Sequence, residues 1–248
     1  MNLAVITACV FPTEAPIWRL RKSCERFGID LKPYGIGLTY TDWPDIKITK
    51  MLEHFRSLQA YGFTHVLYTD GRDSFFVAGL TEVESKYEAV GSPGCFMAAE
   101  ATCYPRIELA ELFPPTGHTY RWIGSGQFMG RLDYLIYAWQ MLTDAYMNKP
   151  GEDQNEQGWM LDAFVRGTFG PEFVLDTNCQ IFQSAGNGHI TGGIGTDKDL
   201  RLEGPRVYNT VTKSYPCAVH FNGGYSDPVT GKDAVLKPVW DAIGGWPL

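Results

Sequence analysis

The sequence has no long apolar segment, no excess of positive charge and no leader with a positively charged start. No stretch reaches the length of a bilayer-crossing helix, and no signal peptide is predicted, so we expect a cytoplasmic protein without a membrane partner. Nothing in the sequence calls for an obligatory protein partner. The formal net charge of -7 argues against a nonspecific nucleic-acid binder, because such proteins carry an electropositive surface.

Several large enzyme classes are excluded because their motifs are missing. The sequence contains no GxxxxGK[ST] phosphate-binding loop, no HExxH zinc motif and no GxSxG nucleophile turn. Its six cysteines include no CxxC pair, which predicts reduced thiols in the core rather than disulfides or a zinc site. Hydrophobic residues make up 44% of the chain, enough for a sizeable core, and no clean linker divides residues 1–248, so we predict one domain.

The order of the predicted elements indicates an α/β fold. A strand at Leu3–Thr7, a helix over Ala15–Phe27 and a strand at Ile29–Tyr34 form a βαβ unit, which predicts a parallel sheet. Further strands are predicted at His65–Thr69, Cys95–Ala99, Tyr120–Ile123, Val174–Leu175, Gln180–Phe182 and Ala218–Phe221, and further helices at Ile48–Ala60, Thr81–Tyr87, Leu132–Met147 and Trp159–Val165. We interpret GSGQFMG, residues 124–130, as a strand-to-helix turn in which the backbone closely approaches a ligand or a neighbouring strand. A glycine-rich loop without regular structure is predicted over Ser184–Gly195.

Two carboxylates directly follow the predicted strand His65–Thr69, in the sequence HVLYTDGRD. Asp70 and Asp73 therefore leave the carboxyl end of a buried strand, and the ligand crevices of open α/β sheets lie at those ends. Two hard oxygen donors three positions apart can share a Mg²⁺ or Mn²⁺ ion whose remaining positions a diphosphate fills. The alternative is a solvated turn, because Asp-Gly pairs are common in turns.

A polar and acidic segment precedes the last predicted helix and contains Asp153, Glu156 and Gln157. A carboxylate in this position can act as a catalytic base toward a substrate hydroxyl, or it can orient a sugar. The alternative is a solvated loop, because acidic residues favour helix N-termini through the helix macrodipole.

A single histidine, His220, lies near the end of a predicted strand and is followed by Asn222 and Gly223. Imidazole is a common metal ligand, and glycines let backbone N–H groups approach phosphate oxygens. The alternative is a hydrogen-bonded structural histidine. Further along the chain, Lys237 can fold back as a point charge on a diphosphate, or it lies at the surface before a proline.

Six segments of the chain occur in an order found in one enzyme family. They are YTDGRD, AAEATCYP, WIGSGQFMG, the acidic loop that ends in EQ, LDTNCQIFQ and VHFNGG, within residues 64–224. In this order they resemble the glycosyltransferase domain of the procollagen lysyl hydroxylases and related stand-alone bacterial and viral GT-A glycosyltransferases. Before residue 64 the resemblance is looser and rests on the βαβ layout, Trp43 and Lys50.

The resemblance implies a GT-A fold, with a mostly parallel central sheet flanked by helices, that uses a UDP-sugar and Mn²⁺ or Mg²⁺. It implies that Asp70, Asp73 and His220 are the metal ligands. Glu156 and Gln157 fall where the family has an Asp-Gln pair near the transferred sugar, and Asp153 is a rival for the acidic role. The predicted contacts with the nucleotide sugar are Thr7, Lys50, Asp70, Asn222, Gly223 and Lys237.

The chain departs from the family pattern at two positions that bear on substrate choice. Arg72 stands where the collagen enzymes have an aromatic residue that packs on the uracil. Base stacking must then come from elsewhere, or the base preference differs. Tyr104 stands where those enzymes have a tryptophan near the acceptor.

We therefore expect a metal-dependent enzyme that moves a hexose from a UDP-sugar to an acceptor hydroxyl. The acceptor is a hydroxylated side chain, a glycan or a hydroxymethylpyrimidine in DNA. Inversion is expected if Glu156 or Asp153 deprotonates the acceptor, whereas retention stays open if the acid only orients the sugar. The alternatives are a nucleotidyltransferase acting on a sugar phosphate and a non-catalytic sugar-nucleotide-binding module. Candidates for a DNA groove are Arg19, Arg21, Lys22, Arg201, Arg206 and Lys213.

Overall fold

The structure is a computed structural model that describes residues 1–38, 43–148, 155–185, 199–222 and 240–241. Its helices are α1 (Trp18–Phe27), α2 (Trp43–Asp45), α3 (Met51–Ala60), α4 (Leu80–Ala89), α5 (Leu132–Met147) and α6 (Glu156–Val165), with 3-10 helices at Ala15–Ile17 and Ile107–Leu112 and a π-helix at Ile46–Lys50. Its strands are β1 (Leu3–Ala8), β2 (Leu31–Tyr34), β3 (His65–Thr69), β4 (Ser74–Phe76), β5 (Cys95–Glu100), β6 (Trp122–Arg131), β7 (Phe173–Asp176), β8 (Phe182–Ser184), β9 (Leu200–Glu203), β10 (Arg206–Asn209) and β11 (Ala218–His220). Three predicted site residues, Asp153, Gly223 and Lys237, lie outside the described residues, as does most of the predicted loop Ser184–Gly195.

A six-stranded sheet forms the centre of the fold, in the order β2-β1-β3-β6-β5-β7. Strand β1 pairs in parallel with β2 and β3, and β5 pairs in parallel with β7. Strand β6 runs antiparallel to both of its neighbours, β3 and β5. The predicted βαβ unit and the mostly parallel sheet are confirmed. Because the carboxyl ends of β1, β3 and β5 meet at one edge, the residues that follow these strands converge there.

The glycine-rich segment 124–130 is not the strand-to-helix turn that we predicted, because it lies inside strand β6. Its glycines serve close packing. A Cβ atom on Gly130 would lie 2.2 Å from the carbonyl oxygen of Gly94, and one on Gly126 would lie 2.1 Å from Cε1 of His220. The predicted close backbone approach is therefore confirmed, whereas the predicted turn is wrong.

We expected the predicted strands near residues 182 and 218 to extend the central sheet, but they do not. They are β8 and β11, which join β4 in a separate three-stranded sheet of order β4-β11-β8. In this sheet His220 lies opposite Ser74 on β4 and beside Ser184 on β8. The backbone N–H of Phe221 donates to the carbonyl of Asp73 at 2.8 Å. This pairing places the histidine next to the turn that carries the two aspartates. A two-stranded ribbon of β9 and β10 was not predicted.

Apolar side chains cover both faces of the central sheet, which confirms the predicted flanking helices. Helices α3, α5 and α6 pack on one face, where Phe55, Phe128 and Trp139 are fully buried. Helices α1 and α4 pack on the other face. All six cysteines are buried and unpaired, as predicted for core thiols. Within the described part of the chain, no helix is both long and apolar enough to cross a membrane.

Trp139 on α5 supports both the core and the backbone near the site. Its ring centroid lies 4.7 Å from that of Phe128, and its indole N–H donates to the carbonyl oxygen of Lys47 at 2.9 Å. We expect Trp139→Ala to lower the free energy of unfolding by about 3–5 kcal/mol, because it empties a large buried volume. Tyr137→Ala, on the same helix with 52% of the residue exposed, should cost less than about 1 kcal/mol. Urea denaturation measures both, and equal losses would contradict this account of the core.

Candidate active site

Three side chains of the kinds that bind metals converge where β3 and β11 end. Asp70 and Asp73 leave β3 on the turn before β4, and His220 is the last residue of β11. One ligand atom of each lies within 4.8 Å of the ligand atoms of the other two. Nε2 of His220 is 3.3 Å from Oδ1 of Asp73 and 3.6 Å from Oδ2 of Asp70. The structure thus brings together residues that are 150 positions apart in the sequence and that we predicted to share a metal ion.

The donor set and its surroundings fit a divalent cation. Two carboxylates are the ligands that Mn²⁺ and Mg²⁺ prefer, and a neutral imidazole is a common additional ligand. Asp73 and His220 are buried, and the side chain of Asp70 is mostly so. Strand β6 carries no side chain toward them at Gly126, where a Cβ atom would come within 2.9 Å of Oδ2 of Asp70.

Lys47, which sequence reasoning missed, connects the aspartates to the acidic residue of α6. Its ammonium nitrogen lies 3.1 Å from Oδ1 of Asp70 and 3.0 Å from Oε1 of Glu156, and only 2% of the residue is exposed. Burial alone would lower the pKa of Lys47, but the two carboxylates outweigh it and raise the pKa above its ordinary value. A permanent positive charge therefore lies between the two acids.

Lys50, which we predicted to contact the nucleotide, lies at the surface instead. Its ammonium pairs with Glu53 at 3.1 Å. Both lysines belong to the π-helix Ile46–Lys50, and the wider π-helical turn changes which side chains face inward relative to an α-helix. Lys47 lies just before the predicted helix Ile48–Ala60, and Lys50 was named from the family resemblance. The available signal was that isoleucines flank Lys47 on both sides and are fully buried.

Helix α6 begins at Glu156, three residues before the predicted start, because Asn155 caps it. The side-chain oxygen of Asn155 accepts the backbone N–H of Gln157 at 3.0 Å. Oε1 of Glu156 accepts a hydrogen bond from the hydroxyl of Ser125 at 3.0 Å, in addition to its ion pair with the lysine. Ser125 and Lys47 thus fix the position of Oε1.

Gln157 links this helix to the ends of two strands. Its side-chain oxygen accepts from the backbone N–H of Ser125 at 2.9 Å. Its side-chain nitrogen donates to the carbonyl of Tyr104 at 2.7 Å and to Oε2 of Glu100 at 3.4 Å. Burial raises the pKa of Glu100 to about 7, although His220 and the amides that bond to it act in the opposite direction. Glu100 ends β5, so the strand delivers a buried acid to the same edge of the sheet.

Two further predicted residues lie at this edge. Asn222 follows β11 and hydrogen-bonds to Glu100. Thr7 is fully buried in β1, and its hydroxyl has no hydrogen-bond partner in the part of the chain that the structure describes. A Cβ atom on Gly71 would lie 2.8 Å from Oγ1 of Thr7, so the threonine supports the turn between the two aspartates.

Gly126→Ala tests the metal site by steric displacement. The new methyl group would collide with the imidazole of His220, so we expect the affinity for Mn²⁺, measured by calorimetry, to fall about tenfold to a hundredfold. Gly79→Ala is the control, because a Cβ atom there meets nothing closer than 3.9 Å. A folded Gly126→Ala protein that binds Mn²⁺ as tightly as the parent would refute the assignment.

Glu100 predicts how stability depends on pH. The folded protein holds its proton up to about pH 7, whereas the unfolded chain releases it near the ordinary pKa of 4.5. The free energy of unfolding should therefore fall as pH rises through this window, because the unfolded state binds fewer protons there. Glu100→Gln should flatten the profile, and Glu111→Gln, which changes an exposed carboxylate, should leave it unchanged. Urea denaturation across the window, without divalent cations, measures the slopes, and parallel profiles for Glu100→Gln and the parent would disprove the assignment.

Solved structures include a similar fold. The chain resembles a glycosyltransferase involved in the glycosylation of the major capsid of PBCV-1, with a TM-score of 0.56. The alignment covers 96% of this chain and 100% of that one at 8% sequence identity. This likeness confirms the predicted fold, a glycosyltransferase fold of the GT-A kind.

The curated relatives are larger proteins. Procollagen-lysine,2-oxoglutarate 5-dioxygenase 1 of Gallus gallus is 26% identical over 238 residues, which cover 90% of this chain and 30% of that protein. The multifunctional procollagen lysine hydroxylase and glycosyltransferase of Caenorhabditis elegans is 24% identical over 234 residues, with the same coverage. An uncharacterised protein of Acanthamoeba polyphaga mimivirus is 24% identical over 159 residues, which cover 64% of this chain and 31% of that protein. The chain thus spans about 30% of the length of these relatives. The profile of the PLOD GT domain matches residues 1–229, and the chain therefore belongs to that glycosyltransferase family.

Proposed function

We propose that the protein transfers a hexose from a UDP-sugar to an acceptor hydroxyl, with Mn²⁺ or Mg²⁺ held by Asp70, Asp73 and His220. The convergence of these side chains within 4.8 Å carries the proposal. The bond from the anomeric carbon to the diphosphate breaks, and negative charge gathers on the leaving diphosphate. A bound cation supplies Lewis-acid stabilisation of that charge. Lys47 adds a fixed positive charge where water is excluded and charges interact strongly.

Glu156 is the candidate for contact with the reacting hydroxyl or the sugar. Lys47 and Ser125 fix the position of one of its carboxylate oxygens, and the carboxylate would accept a proton or a hydrogen bond from the substrate. Gln157 keeps the start of α6 in place through its bonds to β6 and to Tyr104. These contacts support a prepositioned carboxylate, and Asp153 stays a rival prediction.

The nucleotide contacts are proposed from position. Asn222 directly follows the strand that carries the histidine, and Gly223 is next to it in the sequence; both are proposed contacts of the diphosphate, and Lys237 is a candidate for a positive charge on it. Thr7 packs against Gly71, in the turn between Asp70 and Asp73. We assign the positive charge near the diphosphate to Lys47 rather than to Lys50, because Lys50 pairs with Glu53 at the surface.

The charge distribution favours a protein or glycan acceptor over DNA. Four of the six basic residues that could line a DNA groove are paired with carboxylates, which lowers the positive potential that they offer to phosphates. The pairs are Arg21 with Glu14, Lys22 with Glu25, Arg201 with Glu203, and Arg206 with Glu82. A hydroxylated side chain or a sugar hydroxyl is therefore the acceptor that we propose.

Six buried and unpaired cysteines suit a reducing compartment, which supports the proposal that the enzyme acts in the cytoplasm.

Asp73→Asn tests the reaction and its dependence on the cation. The change keeps the shape of the side chain but removes a charged ligand, and it leaves the contact between Lys47 and Asp70 intact. We expect the Mn²⁺-dependent release of UDP from a UDP-sugar to fall at least about a hundredfold. Asp133→Asn, at an exposed carboxylate on α5, should keep full activity.

The product separates the proposed reaction from its rivals. Release of pyrophosphate instead of UDP would identify a nucleotidyltransferase, and UDP-sugar binding without turnover would identify a binding module. Unchanged UDP release by Asp73→Asn would remove the aspartate from the metal site.

A further inference from the structure

Ser184 is a buried hydroxyl that faces the site and has no hydrogen-bond partner among the described residues. It lies on β8 in register with His220 on β11, and 7% of the residue is exposed. Residues paired across neighbouring strands project from the same face of a sheet, so Ser184 and His220 point the same way. Each of the two residues lies against a glycine of β6. A Cβ atom on Gly124 would lie 3.2 Å from Oγ of Ser184, and a Cβ atom on Gly126 would collide with the imidazole of His220.

Ser184 shares this position with a buried acid. The same Cβ atom on Gly124 would lie 3.0 Å from Oε1 of Glu100. The amides that hydrogen-bond to Glu100 are neutral and belong to Gln157 and Asn222. The groups placed near Ser184 are therefore the imidazole of His220 and a carboxyl group to which two amides bond, whereas the ammonium of Lys47 pairs with Asp70 and Glu156.

This chemistry suits a neutral polyhydroxyl group rather than a phosphate. A carboxyl group accepts hydrogen bonds from sugar hydroxyls, and a serine hydroxyl both donates and accepts. A buried hydroxyl that stays unsatisfied costs about 1–3 kcal/mol, so a hydrogen bond from a ligand to Ser184 would be favourable. We infer that Ser184, together with Glu100, hydrogen-bonds to a hydroxyl of the transferred sugar and helps to set which sugar is accepted. This inference rests on the proposed function, with the diphosphate at the cation and the sugar beside Ser184.

Ser74 provides a matched control. It lies on β4, on the other side of His220 and on the same face of the three-stranded sheet. It too is buried, and its hydroxyl also lacks a hydrogen-bond partner within the described ranges. The two serines thus lie on opposite sides of the histidine. Ser184 lies near Glu100, because both residues contact Gly124 of β6.

Calorimetry with Mn²⁺ present and acceptor absent tests the inference, using UDP, UDP-glucose and UDP-galactose as the probes. Ser184→Ala should lose about threefold to tenfold in affinity for the preferred UDP-sugar, the effect of one hydrogen bond, while its affinity for UDP stays the same. The ratio of the affinities for UDP-glucose and UDP-galactose should also move closer to one in this variant. Ser74→Ala should bind all three ligands as the parent does.

The outcomes separate this inference from the function on which it rests. A parent protein that does not distinguish either UDP-sugar from UDP would overturn both the proposed donor and the role of Ser184. A parent that prefers one UDP-sugar, with Ser184→Ala showing the same preference, would overturn the role of Ser184 alone. An equal loss of UDP and UDP-sugar in Ser184→Ala, or the sugar-selective loss in Ser74→Ala, would also overturn it.

Discussion

The close contact between the imidazole of His220 and the backbone of Gly126 is the constraint on which the site depends. The three-stranded sheet can approach the central sheet this closely only because β6 has no side chain at that point. The same strand gives Asp70 its backbone anchor, since the carbonyl of Gly126 accepts the N–H of Asp70 at 2.8 Å. One glycine therefore sets the distance between the histidine and the aspartate turn. Close packing of this kind tolerates little added volume.

The part of the chain that the structure describes concentrates negative charge near this contact. Asp70, Asp73 and Glu156 bring three carboxylates together, and Lys47 is the cation that contacts two of them. Burying charge is unfavourable unless it is paired, so a region with excess negative charge gains stability when a dication binds. Any ligand that binds only the folded state also stabilises that state by mass action. Cation binding and the integrity of this region are thus physically linked.

The sequence allowed the central sheet and its helices to be predicted because apolar spacing and the βαβ order are local signals. It also allowed Asp70, Asp73 and His220 to be grouped, through a resemblance carried by ordered motifs. The turn predicted at residues 124–130 was wrong because glycines mark close packing as well as turns, and only the tertiary structure separates the two. Lys47 was missed because it lies just before the predicted helix, and the resemblance pointed to Lys50 instead. The three-stranded sheet was missed because its strands are short and distant in sequence.

The three-stranded sheet has a consequence for the order in which the molecule is assembled during synthesis. All six strands of the central sheet have left the ribosome once residue 176 has emerged, but β11 does not emerge until residue 220. A nascent chain between these lengths can hold the aspartate turn without its histidine. The region that concentrates negative charge is therefore made before the histidine that joins it, and the candidate metal site is among the last parts of the described fold to form.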